Sequence, residues 1–195
     1  KSSPFIIAVE LSDWPGQRRT DFVLRQTNHD PKAWTAVTLG GPAAWTVSLS
    51  DSCLSLVDRH IQPLRQDLRS GTNLRLSEAA QTACARELQP VLDILENGCG
   101  FLVLDRLSLE RYSLQETKTL YWLIGQGLGR PLEQNVQGTL LYDVRDTGQD
   151  VASGARCSVT NAESTFHTDN SFGSALADYV GLLCLQTAKS GGLTQ

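Results

Sequence analysis

Phe166-His167-Thr168-Asp169-Asn170-Ser171-Phe172, then Asp178-Tyr179-Val180-Gly181-Leu182-Leu183-Cys184-Leu185, then Ala188-Lys189-Ser190-Gly191-Gly192-Leu193-Thr194 are the stretches that decide how this chain reads. The second is a strong apolar strand, the third a turn leading into another strand at Leu193–Gln195. Residues i and i+2 of a strand project from one face. A strand through the first stretch therefore sets the His167 imidazole beside the Asp169 carboxylate. Two such groups are part of a 2-His-1-carboxylate triad, which leaves positions open on a non-haem Fe(II). The same pair also fits a hydrogen-bonded pair at a strand edge, and the tripeptide by itself favours that reading.

Upstream, residues 1–50 read as short strands and turns, with Phe5–Val9 and Asp21–Arg25 β-like. Ser50 or Asp51 can cap a helix carrying Leu54, Val57, Ile61 and Leu64 at helical spacing, with a kink at Pro63. A second helix is expected from Ser77 to Asn97, with Ala80, Cys84, Leu88, Val91 and Leu95 on its apolar stripe and Pro90 inside it. Cys99–Leu104 reads as a buried strand. Ser113-Leu114-Gln115-Glu116 is a capping-box pattern opening a helix that ends at Gly129-Arg130-Pro131. Leu140–Val144 reads as a strand, and so does Ser158–Phe172. Helices and short strands come first, consecutive strands later. That order predicts an α+β fold with helices packed outside a β-sandwich or barrel. Three late strands do not close a double-sheet barrel, so more chain is expected to belong to the fold.

The 195 residues are 41% hydrophobic and 19% charged, which excludes general disorder. The net charge is −4, and the 13 Arg among 17 basic residues are scattered. No nucleic-acid or anionic-membrane partner is expected. No apolar run approaches the ~18 residues of a membrane span, and no signal peptide is seen at the start. The five Cys are an odd number without CxxC spacing, which favours the reducing cytoplasm over a disulfide scaffold. No Met occurs. There is no Gly-rich phosphate loop, GxSxG elbow or HExxH.

The ordered set of His-x-Asp, apolar strand and Gly-Gly-x-Thr resembles the taurine dioxygenase-like family of Fe(II)- and 2-oxoglutarate-dependent oxygenases, which includes clavaminate synthase. Asn97–Leu107 looks like that family's glycine and buried strand, and Gly127–Pro131 like the helix end after it. The resemblance covers 77–195, the N-terminal part of the oxygenase domain, and is weak over 1–76. It implies a double-stranded β-helix (jelly-roll) with helices outside, binding Fe(II) and the co-substrate 2-oxoglutarate. His167 and Asp169 match the first two iron ligands. Thr194 matches the residue that hydrogen-bonds a 2-oxoglutarate carboxylate. The family's second metal His and its 2-oxoglutarate Arg follow well after that Thr, so they are expected from further chain; His29 and His60 precede the motif and are read as turn and helix-end residues.

In relatives the residue four before the metal His can touch substrate, which points to Glu163. By strand parity it shares the face of His167, and Asn161 precedes it. Tyr142 and Arg156 are weaker pocket candidates. The expected function is O2-dependent hydroxylation of a small polar or amino-acid-like molecule. Halogenation is disfavoured by the carboxylate at Asp169. The alternatives are a non-catalytic jelly-roll binding protein and a different cupin-like metal enzyme. Whether the protein is a homo-oligomer is left open.

Overall fold

The structure is a computed structural model, and it describes residues 3–9, 30–62, 72–107, 109–165, 167, 169, 177–187 and 189–190. The strands are β1 (Ser3–Val9), β2 (Thr46–Ser48), β3 (Phe101–Leu107) and β4 (Tyr179–Leu183). The α-helices are α1 (Asp51–Ile61), α2 (Glu78–Glu87), α3 (Gln89–Asn97) and α4 (Leu114–Leu128). The chain divides into two compact units, residues 1–130 with 178–195, and residues 131–177.

The first unit holds all eight elements. Its sheet runs β2-β3-β1-β4. β1 is antiparallel to both neighbours, with Ile6 opposite Val103 on one side and Leu182 on the other. β2 lies parallel to β3. Alternation buries Leu102 and Leu104 of β3 completely, yet Leu107 is buried too. The register shift between Ser3 and Phe5 accounts for this, because Ser3 faces Leu107 while Phe5 faces Leu104. Such a bulge turns one extra residue out of step and brings Leu107 back to the core side.

The helices start where their caps dictate. Ser50, Ser77 and Ser113 accept hydrogen bonds from the backbone of Cys53, Ala80 and Glu116, satisfying N–H groups that have no partner inside the helix. At α4 the expected capping box is complete, because Glu116 Oε2 accepts from Ser113 N at 2.8 Å. α4 is the central helix and buries Leu120, Trp122, Leu123 and Ile124. α1 and α2 pack on it, and α3 packs on β3. The segment before α2 is clamped to α4. Leu74 O accepts from Trp122 Nε1 (2.8 Å) and Gln126 Nε2 (3.0 Å), and Gln126 Oε1 accepts from Leu76 N at 3.1 Å.

Three expectations are corrected. The single helix over 77–97 is two helices meeting at Leu88. Pro90 has no N–H and its ring excludes a helical carbonyl four residues back, so it is accommodated only in the first turn of a new helix. Leu140–Val144 is irregular. The backbone just beyond it pairs with 3-10 residues instead, Arg145 N donating to Ser158 O and Thr147 N to Val159 O. The strand expected over Ser158–Phe172 begins as a 3-10 helix, Cys157–Val159, and 160–165 carries no strand. Asp21–Arg25, Pro63, Leu64 and Leu193–Gln195 lie outside the described residues.

The α+β class is therefore observed as four helices against one mixed sheet; the described strands do not form the two facing sheets of a jelly-roll. Among the described residues no helix is long and apolar enough to cross a membrane.

Candidate functional site

His167 and Asp169 belong to the second unit. Local hydrogen bonds shape the chain that leads to them. Thr147 grips Val159 O twice, through N (2.9 Å) and Oγ1 (2.8 Å). Asp150 Oδ1 caps the 3-10 turn Val151–Ser153 by accepting from Ala152 N at 2.9 Å. Gly154 closes that turn at φ 87°, a left-handed conformation that favours glycine.

His167 Nε2 lies 3.4 Å from Asp169 Oδ1, and both side chains are more than half exposed (57% and 52%). On the other side of the ring, Nδ1 is 2.7 Å from Thr165 O and 3.3 Å from Ser164 Oγ. A carbonyl can only accept, so Nδ1 carries the proton. In the neutral ring Nε2 then presents a lone pair to a carboxylate oxygen. Two acceptors facing each other need a cation between them, either a proton on Nε2 or a metal ion. Ligand bonds of about 2.1 Å let both atoms reach one ion across that gap. A backbone carbonyl that fixes the tautomer is also how metal-binding imidazoles are usually oriented. The two residues thus fit a divalent metal. Among the described residues no group of three or more His, Cys, Asp or Glu is arranged to hold one.

The other candidates are placed as follows. Asn161 and Glu163 are exposed on irregular backbone. The strand that would align Glu163 with His167 is not formed there, so the parity argument for Glu163 does not apply. Thr194 lies outside the described residues. Tyr142 is 36% exposed and Arg156 is exposed. Sequence reading missed Ser164 and the Thr165 carbonyl as the groups that orient the imidazole. A serine three residues before the His was a legible hint; a carbonyl direction is not encoded in any side chain.

Residues 60–195 match the family model for the taurine catabolism dioxygenase TauD, TfdA family. The chain belongs to this family. Its members are in general Fe(II)- and 2-oxoglutarate-dependent oxygenases acting on small molecules with O2. No curated protein and no solved structure matches the chain. The match to the TauD/TfdA family takes in α2, α3, β3, α4, β4 and the whole second unit.

Proposed function

We propose that the protein is a Fe(II)- and 2-oxoglutarate-dependent dioxygenase that hydroxylates a small polar or amino-acid-like substrate. The carrying observation is the pair of facing acceptor atoms, His167 Nε2 and Asp169 Oδ1 at 3.4 Å, in a TauD/TfdA-family chain. The proposed architecture is the family's jelly-roll with helices outside, 77–195 forming the N-terminal part of its domain and 1–76 preceding it. When bound, the iron supplies the activation of O2 that 2-oxoglutarate decarboxylation drives.

The chain's residues divide the remaining work. His167 is held with Nδ1 donating to the Thr165 carbonyl, which in the neutral ring leaves the Nε2 lone pair for a metal. Asp169 supplies a negative charge that offsets part of the cation's. Thr194 donates its hydroxyl hydrogen to a carboxylate of 2-oxoglutarate. Asn161 and Glu163 offer an amide and a carboxylate to polar or cationic groups of the substrate. The exposure of His167 and Asp169 leaves both open to a metal arriving from solvent.

Anaerobic titration with Fe(II) and then 2-oxoglutarate tests this reading. A weak visible charge-transfer band is expected in the wild type and lost in His167→Ala and Asp169→Ala. A folded protein that gives no band overturns it and leaves the non-catalytic binding protein as the better reading.

A further inference from the structure

Cys53 and Cys84 are both free thiols and both wholly buried, each at 0% exposure. Cys53 lies in the first turn of α1 and Cys84 in the second half of α2. Their side chains meet in the seam between the two helices, each thiol perturbing the proton affinity of the other. α4 closes the third side. A Cβ placed on Gly127 would lie 2.5 Å from Cys84 Sγ, so the sulfur occupies the space that this glycine leaves. Two sulfurs side by side on different helices, 31 residues apart in sequence, are arranged unlike the usual isolated thiol of a core.

The pair is also close to a surface. Cys53 N donates to Ser50 Oγ at 3.0 Å. Ser50 and Ser52 both donate to Glu87 Oε2, at 2.5 and 2.6 Å, in exposed bonds that clasp the start of α1 to the end of α2. Helix ends open before helix centres. Opening this one clasp brings solvent to Cys53 without unfolding α4.

We propose that Cys53 and Cys84 form a redox site that a hydroperoxide converts into a disulfide linking α1 to α2. The contact between the two thiols favours the thiolate at Cys84 and disfavours it at Cys53, which makes Cys84 the attacking sulfur of the proposed step. The Cys84 thiolate attacks the terminal oxygen of ROOH. The O–O bond breaks, RO⁻ takes a proton to leave as ROH, and Cys84 becomes a sulfenic acid. The Cys53 sulfur attacks that sulfur, the S–O bond breaks, and the hydroxyl leaves as water with the thiol proton. Two thiols lose two electrons in total, and the peroxide is reduced to ROH and water. The Glu87 carboxylate disfavours the thiolate at both positions. This site is independent of the iron reading.

The test uses the full chain with its exposed thiol removed, Cys157→Ser. After hydrogen peroxide, thiols are blocked in denaturant with N-ethylmaleimide and tryptic peptides are weighed. Peptides 33–59 and 76–86 are expected as one species lighter by two hydrogens and separated by dithiothreitol. The cross-link closes a loop of about 30 residues and is expected to raise the melting temperature by roughly 5–10 °C. Cys53→Ala and Cys53→Ser, checked for native circular dichroism, are expected to lose the cross-link and leave a Cys84 sulfenic acid that dimedone traps. Peptides 33–59 and 76–86 that both remain alkylated after peroxide overturn the proposal. Accumulation of Cys84 sulfonic acid without the cross-link overturns it as well. The wild-type peptide masses decide the matter if both Cys53 variants fail to fold.

Discussion

At Ser113 and Glu116 two side chains each satisfy the other's backbone, and the central helix depends on that exchange. Ser113→Ala is expected to lower stability by about 1 kcal/mol, measured by urea unfolding, because it leaves a helix N–H without its acceptor. Tyr179 makes a second single-residue prediction. Its phenol is pushed up to about 12 by burial and then by the hydrogen bond it donates to Glu96. A raised pKa means the folded state holds this proton more tightly than the unfolded chain does. The contribution to stability is therefore whole below about pH 10 and fades as pH rises towards 12. Absorbance titration at 295 nm should show a late-titrating phenol that Tyr179→Phe removes, and Glu96→Gln should bring it back toward 10. The capping box was legible because Ser-x-x-Glu before an apolar run is a local pattern. The Tyr179–Glu96 pair was not, since its partners are 83 residues apart and meet only through the fold.

Among the elements, the α2–α4 contact carries the sharpest prediction. Gly127 lies in the last turn of α4, where a Cβ would meet Cys84 Sγ at 2.5 Å and Leu88 Cδ1 at 2.8 Å. Gly127→Ala gains helix propensity worth roughly 0.5–1 kcal/mol but overpacks a buried seam at a cost of about 1–3 kcal/mol. The net expectation is a loss of about 1–2 kcal/mol, read from the denaturant midpoint at unchanged slope. Gly125 has nothing within 4 Å of its Cβ position, so Gly125→Ala should be neutral or stabilising. Helical spacing was readable in α1, α3 and α4 because Val57 and Ile61, Val91 and Leu95, and Leu120 and Ile124 recur one turn apart on buried faces. The break at Leu88 was missed because apolar spacing continues across it, and only Pro90 marks the boundary. Leu140–Val144 was misread for the opposite reason: apolar residues alone do not make a strand without a neighbour to complete its hydrogen bonds. The backbone bonds to the 3-10 residues begin only just beyond it, from Arg145 and Thr147 to Ser158 and Val159.

The whole molecule divides its stability unevenly between its two units. Among the described residues, every fully buried large side chain lies in the first, on the helices and β3 or joining them. In the second, residues 131–165 include no buried side chain, and Val136 and Val144 are 95% and 65% exposed. Apolar burial is the main favourable term in folding, so the second unit is ordered chiefly by turns and by hydrogen bonds such as those of Asn135, Thr147 and Asp150. Hydrogen exchange should show amides of 131–165 exchanging far faster than those of β3 and α4. Brief trypsin treatment should cut first after Arg145 or Arg156 and leave α4 intact. Equal protection across the two units would show that the second is held by more than its described contacts. His167 and Asp169 sit in that same unit, where a metal joining them would add a restraint that no buried side chain supplies among its described residues. Saturating Fe(II) under anaerobic conditions, or Mn(II) in air, should therefore slow tryptic cutting after Arg156 in the wild type and leave it unchanged in Asp169→Ala. Identical cutting rates with and without metal would mean that the pair does not hold an ion tightly enough to order its unit.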